Sequence, residues 1–215
     1  VVLNTWYNVF TLPQFKEGWF EVQDAASQYI APFLQAQPGM RVIDACAGAG
    51  GKTLHLAALL KNKGRVVALD TEEWKLDTLR KRARRAGASN IEAKIIDSHK
   101  MIKRQEKSAD RLLLDVPCTG IGVLKRNPDA KWKLTAAYLE QVKQEQQQIL
   151  DQYAIMLKPN GILVYSTCSI LPSENEKQVM AFLQQHKDQF VLLDEKYVWP
   201  SEGFDGFYMA AIRRL

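Results

Sequence analysis

Short apolar runs alternating with helix-length stretches constrain this chain more than any other feature. The runs are 41–45 (RVIDA), 65–70 (RVVALD), 91–97 (IEAKIID), 111–115 (RLLLD) and 161–167 (GILVYST). Each carries Val, Ile or Leu at successive positions, the mark of a strand buried on both faces. Between them the pattern predicts helices over about 24–35, 52–62, 72–87, 135–157 and 174–186, with stops at Gly64, Gly87 and the turn Pro159-Asn160-Gly161. Strands separated by helices pair side by side through crossovers, which gives an α/β fold with a mostly parallel sheet and helices on both faces. The tail, 190–193 and 206–212, predicts a closing antiparallel β-hairpin. At 215 residues, with no repeat or low-complexity tract, the chain reads as one domain over 1–215 with an N-terminal segment, 1–38, packed on its core.

Several classes are excluded at this level. No run of 18 apolar residues occurs, and no signal-peptide pattern opens the chain, so neither a membrane partner nor export is expected. Three cysteines make no closed disulfide framework, which points to a reducing cytoplasm. His55, His99 and His186 lack metal-ligand spacing, so no metal is expected; the chain is expected to act as a monomer. It begins Val1-Val2-Leu3 without an initiator methionine, which reads as a fragment with material upstream. The net charge of +5 is unevenly spread: residues 71–107 hold eleven Lys or Arg against six Asp or Glu. Such a stretch suits a polyanion, since each neutralised phosphate releases counterions, although a solvated basic face reads the same way.

In parallel α/β sheets, ligands bind beyond the carboxyl ends of the strands. Those ends read Asp44, Asp70, Asp97 and Asp115, and the last run leads into Cys168. A second cysteine, Cys118, follows Asp115 by three residues. Single strand-end aspartates usually cap helices or turns; four of them, with two cysteines, imply a reaction centre.

The turn after the first run is Cys46-Ala47-Gly48-Ala49-Gly50-Gly51-Lys52-Thr53. Glycines allow backbone to approach a ligand, and the next helix start offers free N–H groups. Three readings compete. A dinucleotide fingerprint fits Gly48 and Gly50 but meets Thr at position 53. A phosphate-cradling loop fits Gly51-Lys52-Thr53 but needs Gly at Cys46, although LLLD at 112–115 imitates the Mg²⁺ strand of such NTPases. The third, S-adenosylmethionine, uses Asp70, Asp97 and Asp115 together.

The segments GWFEVQDAASQ (18–28), DACAGAGGKT (44–53), DVPCTGIGVLKRNPDAKW (115–132), YSTCSILPSEN (165–175) and GFDGFYMAAIRR (203–214) resemble the Nol/Nop/Sun family of RNA cytosine-5 methyltransferases. They cover nearly the whole chain, and 120–132 and 161–175 most resemble the bacterial Sun (Fmu) branch, which acts on small-subunit ribosomal RNA. One departure is Gly48-Ala49, where that branch commonly has Ala-Pro. The resemblance implies a Rossmann-like class I methyltransferase fold, with S-adenosylmethionine held by 46–52, Asp70 on the ribose, Asp97 at the adenine and Asp115 near the methionine end. It also implies Cys168 as nucleophile, Cys118 as the thiol that helps release product, and Asp115 at ring nitrogen 3, with the Pro117 carbonyl toward the exocyclic amine. Cys46 would pack beside the cofactor and take no chemical part. Lys125, Arg126 and Lys131 are candidates for RNA phosphate contact, with ribosomal RNA ahead of transfer RNA; Gln23 and Asp24 belong to a matching motif without a derived role. Branch relatives commonly carry a separate N-terminal RNA-binding domain. A phosphate-binding NTPase and an RNA-binding assembly factor without activity remain the alternative readings.

Overall fold

The computed structural model describes residues 8–215. Among them run the strands β1 (Arg41–Asp44), β2 (Arg65–Asp70), β3 (Ile91–Ile95), β4 (Ala109–Asp115), β5 (Leu157–Thr167), β6 (Phe190–Val198) and β7 (Phe207–Arg214). The helices are α1 (Pro13–Lys16), α2 (Ile30–Phe33), α3 (Gly51–Leu59), α4 (Glu73–Arg85), α5 (His99–Lys103), α6 (Ala130–Lys133), α7 (Ala136–Tyr153) and α8 (Glu176–Gln185). The strands form one sheet in the order β3-β2-β1-β4-β5-β7-β6. All neighbours are parallel except β7, which runs antiparallel to both β5 and β6. The α/β reading and the closing hairpin are thus borne out.

The double-sided apolar pattern of the strands is used in full, because alternate residues point to opposite faces. Ile43, Leu112, Leu114, Leu163, Tyr165, Ala210 and Ile212 join Leu150 of α7 and Phe182 of α8 on one face. Val42, Leu113, Val164, Met209 and Ala211 join Ile30 of α2 and Leu56 of α3 on the other. Thr135 caps α7, its hydroxyl accepting from Tyr138 N at 3.1 Å. Through Ala26, Ile30, Ala31 and Leu34, the described part of segment 1–38 packs into the second cluster; residues 1–7 lie outside the described residues.

Most boundaries shift by one to three residues, as where the run 91–97 ends as strand at Ile95, but three regions differ more. The helix expected over 24–35 is a 3-10 turn, Ser27–Tyr29, followed by the single turn of α2. The helix expected to reach 157 ends at Tyr153, and β5 begins at Leu157 rather than 161. Pro159-Asn160-Gly161 is therefore an irregularity inside the strand: between Ala109↔Leu157 and Arg111↔Ile162, β4 advances two residues and β5 five, and Asn160 turns at φ 62°. Finally, β6 extends to Val198, past the expected 193. Its Asp194, Glu195 and Lys196 face solvent along a sheet edge, where charge keeps the edge from pairing with other chains.

Candidate active site

Because β1 lies between β2 and β4, the chain's winding reverses there, opening a crevice at the strands' carboxyl ends. The glycine turn crosses this crevice. Gly48 (φ 53°) donates its N–H to Asp70 Oδ2 at 2.8 Å, and Gly50 (φ 89°) caps α3. The other oxygen of Asp70 accepts from Glu72 N at 2.9 Å, so the end of β2 is tied to the turn. Apart from the adjoining residues and the backbone of α3 itself, no heavy atom of the described residues lies within 4 Å of where a Cβ on Gly48 or Gly51 would stand, which leaves an open cradle above the turn. Asp44 points inward instead. It is fully buried, accepting from Thr53 Oγ1 at 2.7 Å, with its second oxygen unpartnered. Thr53, the hydroxyl that a phosphate-cradling loop would turn toward Mg²⁺, is thus committed to a buried carboxylate. Burial pushes the Asp44 carboxyl up to about 7, against the opposing effect of Thr53.

The register of β4 on β5 brings the two distant cysteines together. Asp115 lies level with Ser166, so the chain emerges from both strands at one height within three residues of each cysteine. The Cys118 and Cys168 sulfurs stand 3.1 Å apart. The hydrogen bond from Cys118, helped by the Lys52 ammonium, holds the Cys168 thiol below its ordinary value despite burial and Asp115. Cys118 is pushed well above its own, by that same bond, by burial and by the charges around it. Beside the pair, Lys52 Nζ donates to Asp115 Oδ2 at 2.6 Å, and Ser166 Oγ donates to Asp115 Oδ1 at 2.9 Å. Burial works against the Lys52 ammonium, yet Asp115 outweighs it and raises the lysine. A cavity of about 260 Å³ opens here, lined by Asp24, Lys52, Asp115, Arg126, Cys168 and Phe207 among others.

The remaining sequence candidates divide by location. Arg126 faces this cavity, its guanidinium held by buried Asp205 at 2.6 Å from Nε and 2.5 Å from Nη2. Lys125, on the loop outside, and Lys131, in α6, are both exposed, Lys131 over the Trp132 ring at 4.8 Å. One lone pair of the Pro117 carbonyl is taken by Gln146 Nε2 at 2.9 Å. Asp97 is exposed, two residues past β3, and accepts from Ser98 Oγ. Cys46 packs against the core, and burial raises its thiol well above the ordinary value. Asp24 Oδ1 accepts from Ala26 N and Ser27 N at 2.9 and 3.2 Å, turning the chain into the following 3-10 turn, while Gln23 Nε2 donates to Ser27 Oγ. The sequence reading missed Asp205 and the buried pair Gln146 and Glu174. In sequence, Glu174 looks like any acid at a helix start, and Gln146 like any polar residue within one.

A seven-stranded sheet of this order, with one antiparallel strand, a glycine turn after β1 and an acid closing β2, defines the class I fold of S-adenosylmethionine-dependent methyltransferases. Within that class the chain belongs to the 16S rRNA methyltransferase RsmB/F family, whose model matches residues 31–213. The probable ribosomal RNA small subunit methyltransferase B of Synechocystis is 41% identical over 90% of this chain and 42% of its own length. Ribosomal RNA small subunit methyltransferase B of Vibrio cholerae is 38% identical over 99% of this chain and 50% of its own. The chain thus spans about half the length of the curated relatives it matches. Among solved structures, NSun6 from Pyrococcus horikoshii, crystallised with the S-adenosylmethionine analogue SFG, superposes with a TM-score of 0.88 at 28% identity. It is covered over 56% of its length, and this chain over 97%.

Proposed function

We propose that this chain transfers a methyl group from S-adenosylmethionine to carbon 5 of a cytosine in small-subunit ribosomal RNA, through a covalent bond between Cys168 and the base. The thiol pair at 3.1 Å, flanked by the Lys52–Asp115 pair, carries this reading. Two thiols in contact, one favoured as thiolate and one as thiol, suit a reaction that adds one sulfur to a ring and later expels it.

The cradle fits the cofactor. Each Asp70 oxygen accepts one backbone N–H, which leaves lone pairs for ribose hydroxyls. The space above Gly48 and Gly51 admits backbone contact along 46–52, with Asp97 at the adenine rim. When bound, S-adenosylmethionine supplies a methyl group on a sulfonium whose C–S electrons stay with sulfur. The chain's residues do the rest. The Cys168 thiolate forms a bond to carbon 6, and the displaced π electrons make carbon 5 nucleophilic. Asp115 meets ring nitrogen 3 and shares a proton with it, which draws charge from the ring as sulfur adds and returns to Asp115 when sulfur leaves. Once carbon 5 is methylated, its proton passes to water in the cavity, the C–H electrons re-form the double bond and Cys168 leaves as thiolate; Cys118 assists this release. The base must be unstacked to enter the cavity, with Lys125 and Lys131 on phosphate outside and Arg126 at its mouth. A reducing cytoplasm keeps both thiols free, and residues 1–215 act as the catalytic domain.

The test is recombinant chain with labelled cofactor and purified ribosomal or transfer RNA, followed by bisulfite mapping. Label at a cytosine of small-subunit RNA is expected; label confined to transfer RNA would overturn the substrate. Cys168→Ala should abolish transfer, and Cys118→Ala should leave RNA covalently bound to protein on denaturing gels. Retained turnover in Cys168→Ala would overturn the mechanism.

A further inference from the structure

Behind the two cysteines lies a carboxylate that the reaction above does not use. Glu174 has no exposed surface, and neutral donors converge on both its oxygens. Oε1 accepts from Thr119 N at 2.8 Å and Gln146 Nε2 at 3.1 Å; Oε2 accepts from Thr119 Oγ1 at 2.6 Å and from Ser169 Oγ. Thr119 adjoins Cys118, and Ser169 adjoins Cys168. Gln146 reaches Pro117 O as well, and Tyr165 Oη donates to the Glu174 carbonyl at 2.7 Å. Asn175 repeats the pattern, accepting from Thr167 Oγ1 and donating to Ser169 O at 3.0 Å. One acid thus binds the immediate neighbours of both thiols.

A carboxylate is costly to take out of water, and here, among the described residues, only neutral donors, with no cationic side chain, meet it. An acid at this place therefore calls for an explanation beyond packing. The asymmetry of the thiols offers one, because a negative charge behind Cys118 disfavours a second one on its sulfur, and Glu174 is among the charges that push that thiol up.

We propose that Glu174 is a positioning residue that clamps both cysteine loops and keeps the proton on Cys118, so that Cys168 alone is the nucleophile. This rests on the assignment of Cys168 above, and the experiment separates the two. The free protein, without RNA or cofactor, is alkylated with iodoacetamide between pH 6 and 9, and each cysteine peptide is quantified by mass spectrometry. In the wild type, Cys168 should react at least about tenfold faster than Cys118. In Glu174→Gln, with its thermal melt recorded, the ratio should fall toward one and the Cys118 rate should rise at lower pH. In the same variant kcat should fall at least about tenfold with KM for RNA nearly unchanged. Thr119→Val, which removes one hydroxyl at nearly constant volume, should move the ratio the same way by a smaller factor and serves if Glu174→Gln does not fold. A wild-type preference for Cys118 would overturn the nucleophile assignment. A Cys168 preference left unchanged in a folded variant would overturn the role of Glu174 alone.

Discussion

Asp44 sits sealed beneath the glycine turn with one oxygen on Thr53 and the other unpartnered. Its carboxyl titrates near 7 when folded, against 3.8 as the ordinary value. The folded state therefore holds this proton more tightly than the unfolded chain does. The group favours folding most below the ordinary value, and that advantage is lost as pH rises from about 4 to about 7. Through this residue, stability should drop by about 3 kcal/mol between pH 5 and pH 8. Asp44→Asn should remove that drop in urea melts at the two pH values; an unchanged difference would show that Asp44 is ionised when buried. At this scale much was legible. Asp44, Asp70, Asp115, Cys118 and Cys168 all stand out as strand-end residues. Whether each one faces the cavity or the core was not legible, because a strand-end carboxylate has the same sequence signature in either direction.

At the scale of elements, the two cysteine loops are held by short connections rather than by the strands alone. Gly122 lies in a 3-10 turn, Ile121–Val123, and donates to Cys168 O at 3.0 Å while accepting from Gly206 N at 2.7 Å. A Cβ there would stand 2.3 Å from Gly206 O and 2.7 Å from Cys168 O, both backbone atoms that cannot swing aside. Gly122→Ala should therefore displace the Cys168 loop. About 1–3 kcal/mol of stability should be lost, seen as a fall of several degrees in Tm, with turnover down at least about tenfold. A wild-type melt and full activity would mean that the loops yield without cost. The strands themselves could be read from their apolar runs; their ends could not. The helical pattern runs on into Leu157, and Pro159-Asn160-Gly161 reads as a turn, yet pairing with β4 makes the segment part of a strand. Likewise the strand expected over 190–193 stops short of Asp194–Lys196, but antiparallel pairing with β7 holds them extended.

At the scale of the whole molecule, β7 inserts between β5 and β6 and delivers Phe207 to the cavity, its ring centre 5.4 Å from Lys52 Nζ, while Asp205, just before the strand, meets Arg126. S-adenosylmethionine at about 100 times its Kd should stabilise the fold by about 2.7 kcal/mol, a rise in Tm of about 5–10 °C. ATP with Mg²⁺ should leave the melt unchanged; the reverse result would favour a phosphate-binding loop. The double variant Lys125→Ala, Lys131→Ala should weaken RNA binding across sequences and reduce the slope of log affinity against log salt by about 1–2. An unaltered slope would place the RNA elsewhere. By itself, the sequence determined the α/β class, the glycine turn and the strand-end residues, because each follows from local periodicity and spacing. Only the tertiary structure decided that Cys118 and Cys168 touch, and that one buried acid binds the neighbours of both. Contact depends on the register between β4 and β5, and the shared acid lies 55 residues from Thr119, the residue after Cys118. Neither leaves a mark in any short stretch of sequence.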